Sequence, residues 1–203
     1  MWERFSYYGM RALFVMYLND ELLQPGRYEN VVGMGMFVGE SGIYGTTDTK
    51  ETRQAASSHL YGLYTALVYF TPLLGGILAD QKLGQRFAVV IGGVLMAIGH
   101  FALAFQSLFV VGLLFLVLGN GLFKPNISTQ VGRLYAEGDP RRDAAFSIFY
   151  GGINVGAMLS PLVCGTLGEN VSFEAGFAAA GVGMCLGLTV YVCGLPWLAP
   201  DQG

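Results

Sequence analysis

The run Leu108 to Gly132, LFVVGLLFLVLGNGLFKPNISTQVG, constrains this chain more than any other stretch, because it is long and apolar yet carries an Asn, a Lys and a Pro in its second half. About 20 apolar residues suffice for a helix to cross the hydrocarbon core of a bilayer. An ammonium in such a helix costs from about 3 kcal/mol upward, so it normally faces a protein interior or a watery path. Asn120, Lys124 and Ser128 fall four apart and share one helical face, and Pro125 removes a backbone donor beside the charge. Lys124 either snorkels to the headgroups or needs an anionic partner inside. The mostly uncharged run continues past it to Arg133, which favours the partner.

Further apolar stretches complete a fold class. The chain reads as an all-α integral membrane protein of six transmembrane helices, expected at residues 2–18, 59–79, 87–105, 108–132, 144–167 and 173–192. Residues 19–57, with Pro25, Gly26 and many charges, are too polar to span and are expected as an extramembrane loop with a short helix around Val31 to Val38. Of the residues, 53% are hydrophobic and 12% charged, against about 25% charged in soluble domains, so the partner surface is a lipid bilayer. Thirty glycines suit helices that approach closely in lipid. A net charge of −3 with no basic face excludes nucleic acid as a partner.

Cys164, Cys185 and Cys193 lie in apolar runs without metal-ligand spacing and read as small core residues. No Ser, Cys or His stands with a base at a usable spacing, so neither an enzyme nor a metal or cofactor site is expected. His100, at the far end of the third span, reads as a satisfied structural residue.

Polar residues inside the other spans are the remaining candidates. Arg4, Tyr8 and Arg11 stand at i, i+4 and i+7 with Glu3 adjacent, a stripe suited to lining a cavity. At the start of the chain Glu3 and Arg4 are equally read as charges flanking the membrane, whereas Arg11 sits mid-span. Tyr64 shares a face with Tyr61 and Thr65 and is either a pocket or an interfacial residue. The fifth span carries Ser147, Tyr150, Asn154 and Pro161 along one side, and the amide of Asn154 serves as interhelical glue or as a substrate contact. Lys82, Arg86, Arg133, Arg141 and Arg142 fall on one side if the spans alternate, which places the amino terminus in the cytoplasm and residues 19–57 outside.

Four stretches together resemble the proton-dependent oligopeptide transporters of the major facilitator superfamily: ERFSYYG from Glu3 to Gly9 followed by MRA, PLLGGILADQKLG from Pro72, GNGLFKPNISTQVGRLY from Gly119, and RRDAAFSIFYGGINVGAMLSPLVCG from Arg141. They occur in the family's order and cover nearly the whole chain outside the outer loop. The resemblance implies the amino-terminal half of a twelve-helix transporter, with an inverted three-helix repeat inside it and a carboxyl-terminal half to be supplied. It implies proton-coupled symport of di- and tripeptides across the inner membrane, with small peptides and protons as partners and the proton gradient in place of a cofactor. The positions matching Arg4, Tyr8, Arg11, Tyr64, Lys124 and Asn154 line the family's peptide cavity, and Glu3 is the carboxylate matching its proton-coupling motif. The family pattern has a further Glu three residues before Glu3, ahead of Met1. A facilitator for another small solute (nitrate, an amino acid or a drug) and an inactive membrane fragment are the competing expectations.

Overall fold

The computed structural model describes residues 1–198, and every regular element among them is helical. The α-helices are α1 (Trp2–Tyr17), α2 (Lys50–Leu78), α3 (Gln85–Leu103), α4 (Phe109–Arg133), α5 (Arg141–Ser160), the short α6 (Thr166–Asn170) and α7 (Phe173–Gly194). With the turns that prolong them, Lys50–Leu83, Gln85–Leu103, Gln106–Arg133, Arg141–Asn170 and Phe173–Trp197 are long and apolar enough to cross a membrane. α1 carries more charge and continues through a π turn at Leu18–Leu22.

The centre of the bundle is the α3–α4 hairpin. A Cβ on Gly92 would stand 2.7 Å from the Gly119 carbonyl oxygen, and one on Gly99 2.9 Å from that of Gly112. These two antiparallel pairs lie two helical turns apart, so the backbones touch along one seam where any side chain would force them apart. α2 packs on α4, α7 packs on α3, and α1 is held between α7 and α5. The layers are stitched by hydroxyl and amide groups that would otherwise be unpaired in an apolar interior. Asn120 Nδ2 donates to the Val68 carbonyl at 3.0 Å, Thr71 Oγ1 to the Val117 carbonyl at 3.0 Å, and Ser6 Oγ to the Ala180 carbonyl at 2.7 Å. Asn120 therefore serves the α2–α4 seam, and Lys124, one turn further along the same face, lies over Tyr69 next to Val68. Phe14, Tyr17, Phe109 and Phe177 close the core of α1, α4 and α7, with ring centroids 5.3 Å apart for Tyr17 on both Phe109 and Phe177.

Several boundaries differ from the sequence-based expectation. α2 starts at Lys50, so the last part of the expected 19–57 loop is helical. The cause is a capping box: Thr49 Oγ1 accepts from the Thr52 N–H at 3.2 Å while Thr52 Oγ1 accepts from the Thr49 N–H at 3.1 Å. Replacing Thr49 with Ala is expected to cost about 1 kcal/mol, so amide exchange at residues 50–53 should quicken about fivefold while exchange further along α2 stays unchanged.

The short helix expected over 31–38 is instead two 3₁₀ turns, Tyr28–Asn30 and Met34–Met36. Gly33 between them has φ +84°, which no α-helix accommodates, and the segment docks by burying Val31, Met34 and Val38. Gly84, at φ +74°, likewise ends the π turn Ala79–Leu83 and turns the chain into α3. His100 is fully buried, but both ring nitrogens lack a partner among the described residues, so it is not the satisfied histidine expected.

Candidate substrate cleft

A cleft of about 480 Å³ opens between the first turn of α1, the second half of α4, the middle of α5 and the end of α7. α1 reaches it because α5 and α7 offer glycines where α1 crosses them. A Cβ on Gly156 would come 3.0 Å from the Phe5 nitrogen, and one on Gly187 would come 2.8 Å from Trp2 Cβ. That close fit delivers Glu3 and Arg4 to the cleft, and α4 delivers Lys124 and Ser128 from the opposite wall. Apolar lining comes from Phe123, Ile127 and Ile153, and Tyr150 adds a phenol.

The charges do not balance locally. Arg4 Nε donates to Glu3 Oε2 at 2.7 Å, with the two side chains only 13% and 10% exposed. Lys124 is half-buried and interacts electrostatically with both Arg4 and Glu3, leaving one net positive charge among the three. Near a protein surface, unit charges about 4 Å apart interact by about 4 kcal/mol, so the excess charge is a strong attractor for an anion. Glu3 Oε1 is buried with no hydrogen-bond partner among the described residues, which leaves one carboxylate oxygen open to a donor.

Each cation also rests on a different tyrosine. Arg4 lies 5.5 Å from the Tyr7 ring centroid, Arg11 5.4 Å from that of Tyr61, and Lys124 4.8 Å from that of Tyr69. Such contacts contribute about 0.5 to 2 kcal/mol and leave the polar ends of the cations available.

The structure sorts the sequence-based candidates into two groups. Glu3, Arg4 and Lys124 meet in the cleft. Tyr8, Arg11, Tyr64 and Asn154 are not among its lining residues. Arg11 is exposed on α1 beside Tyr61, and Tyr8 stands edge-on to Tyr7 with centroids 5.3 Å apart. Asn154 is exposed on α5 next to the cleft-lining Ile153. Tyr64 is only 4% exposed and stacks on Phe14 at 5.5 Å, which makes it a core residue in this chain. Tyr69, 60% exposed and beneath Lys124, is the α2 tyrosine next to the cationic site. Sequence reading missed it, as it missed Tyr191, which lines the cleft and donates to Gln130 Oε1 at 2.8 Å. The available signal was a single phenol in the otherwise apolar second half of α7.

Apolar helices packed through glycine seams around a half-buried cationic cleft define an all-α integral membrane protein, here with the fold of the amino-terminal half of a major facilitator. Known proteins agree. The PTR2 model of the POT family matches residues 86–201. An uncharacterised transporter of Bacillus subtilis, YclF, is 42% identical over 94% of this chain and 35% of its own length. A di-/tripeptide transporter of Lactococcus lactis is 40% identical over 100% of the chain and 37% of its own length. A crystal structure of a peptide transporter POT in complex with alafosfalin superposes with a TM-score of 0.78 at 43% identity, covering 96% of this chain and 36% of that one. The chain belongs to the POT family, and it spans a little over a third of the length of the curated relatives it matches.

Proposed function

We propose that this chain forms the amino-terminal half of a proton-coupled symporter that imports di- and tripeptides by alternating access against a carboxyl-terminal half. The observation that carries the reading is the cleft charge: among the described residues Arg4, bonded to Glu3, and Lys124 line one cleft in which Glu3 is the single carboxylate. A peptide carboxylate supplies the missing anion, and charge-assisted bonds from guanidinium and ammonium hold it without regard to side chains. The phenols of Tyr150 and Tyr69, with Tyr8, Arg11 and Asn154 on the flanking elements, provide further polar groups once the second half closes over the cleft, and Tyr64 supports them from the core, stacked on Phe14. The relative from Lactococcus lactis, named a di-/tripeptide transporter, supports the cargo.

Glu3 is the proton-coupling group in this reading. Substrate competes with Glu3 for Arg4, whose Nε donates to Glu3 Oε2 at 2.7 Å, and that competition links the carboxylate to the transport cycle. The proton gradient drives the cycle, with no cofactor and no bond made or broken in the cargo. The spans at residues 2–18, 59–79, 87–105, 108–132, 144–167 and 173–192 cross the inner membrane, with the amino terminus and the basic loops in the cytoplasm and the 19–57 segment outside.

Reconstitution of the full-length transporter in liposomes tests this. Labelled dipeptide should accumulate under an inward proton gradient, stop on collapse of the gradient, and compete with unlabelled di- and tripeptides but not with nitrate or free amino acids. Accumulation of nitrate or an amino acid in place of peptide would overturn the assigned cargo.

A further inference from the structure

We infer that Tyr191 and Gln130 form a latch that holds the end of α4 against α7 and so positions the floor of the cleft beneath Lys124. The functional meaning of the latch rests on the transport reading above; its existence does not. α4 and α7 share hardly any direct contact, because α3 packs between them along most of their length. Beside the cleft, which Tyr191 lines, its hydroxyl crosses that gap and donates to Gln130 Oε1 at 2.8 Å. Gln130 is 6% exposed, and its Nε2 is buried without a partner, so among the described residues the bond to Tyr191 is the one its side-chain amide makes.

The α4 segment that Gln130 secures begins at a weak point. Pro125 lies inside α4 and removes a backbone donor just after Lys124. Beyond it, Thr129 Oγ1 donates back to the Pro125 carbonyl at 3.0 Å, a bond within the helix that ties it to no neighbour. Contact between α4 and α5 on the other side is sparse. The Pro125–Arg133 segment is thus a short arm that carries Ile127, Ser128 and Val131 of the cleft wall, with its tip tied to α7 through Tyr191. Breaking the bond frees the arm to swing about Pro125 and widens the cleft at its α7 end. Tyr191 and Gln130 are positioning residues: they set how often the floor opens.

The test uses full-length protein purified in detergent, with Cys185 and Cys193 replaced by Ser and Val131→Cys introduced as a reporter on the cleft wall. Maleimide modification at position 131 is followed by mass spectrometry of the peptide that contains it. Tyr191→Phe keeps the ring and deletes only the donor; it should raise the labelling rate about fivefold, the effect of a neutral hydrogen bond of about 1 kcal/mol. Gln130→Leu should give the same increase, and the double variant no more than either single one, since both remove one bond. Gln130→Glu, which retains an acceptor, should return the rate toward the parent value. An unchanged rate in Tyr191→Phe, or an additive increase of about 25-fold in the double variant, overturns the latch. Labelling needs no peptide or proton gradient, so a failure of the peptide-transport reading would leave this result standing, and the reverse also holds.

Discussion

A full-length transporter carrying Lys124→Ala is expected to take up labelled dipeptide at about one hundredth of the parent rate or less. The reasoning is electrostatic. Among the described residues the cleft holds two cations, Arg4 and Lys124, and one carboxylate, and Arg4 is already bonded to Glu3 at 2.7 Å. Without Lys124, Arg4 and Glu3 balance each other and the cleft no longer demands an anion. A hydrogen bond to a charged group contributes about 1.5 to 3 kcal/mol, and about 1.4 kcal/mol is a factor of ten, so one lost ammonium contact reaches the hundredfold range. Lys124→Gln should fare no better, because it keeps length and polarity but not charge. Lys124→Arg should retain part of the activity, since the charge survives while the compact ammonium that fits over the Tyr69 ring does not. Initial uptake rates at equal amounts of protein in the membrane distinguish these cases, and parent-like uptake by Lys124→Ala would remove Lys124 from the mechanism.

The largest expected effect on stability is at Gly75. A Cβ there would fall on the carbonyl oxygen of Gly121, with the next atom, the Gly121 carbonyl carbon, only 2.5 Å away. Both obstacles are backbone, so no side chain can swing aside, and α2 must separate from α4. That separation would also strain the Asn120–Val68 and Thr71–Val117 bonds, which stitch the same seam. Gly75→Val should therefore destabilise by about 3 kcal/mol or more and lower the midpoint of thermal unfolding in detergent by about 10 °C. A Cβ on Gly62, in the same helix, would meet nothing within 4 Å, and Gly62→Ala should leave the midpoint unchanged or slightly raised. Equal midpoints for Gly75→Val and Gly62→Ala would mean that the backbones of α2 and α4 do not touch along this seam.

Much of the bundle was legible because apolar runs broken by short charged turns have one economical solution in lipid. Lys124 stood out because a charge inside such a run must be accommodated, and it lines the cleft together with Arg4, which the pattern left equally as a charge flanking the membrane. The pattern says least where one-dimensional spacing loses direction. Tyr64 and Tyr69 both stand deep in α2, but five residues turn a helix by about 140°, so one faces Phe14 in the core and the other lies under Lys124. Arg4 and Arg11 do share a face, yet Gly156 and Gly187 bring α5 and α7 against the turn that carries Arg4, while Arg11 is exposed beside Tyr61. The extension of α2 to Lys50 was written in the Thr49 and Thr52 pair, a local capping signal outweighed by the polarity of the segment. The Tyr191–Gln130 bond joins residues 61 positions apart, and no local pattern announces it.

The most direct test of the cleft as a carboxylate receptor is the affinity of purified full-length transporter for a dipeptide and for the same dipeptide with its carboxyl terminus amidated, measured by titration calorimetry at neutral pH. Two cations against one carboxylate predict that the amide binds about 100-fold more weakly, close to the loss expected for Lys124→Ala, and that this difference shrinks in the Lys124→Ala protein. Equal affinity for the free acid and the amide would contradict the assignment of Arg4 and Lys124 as the groups that receive the peptide's charge.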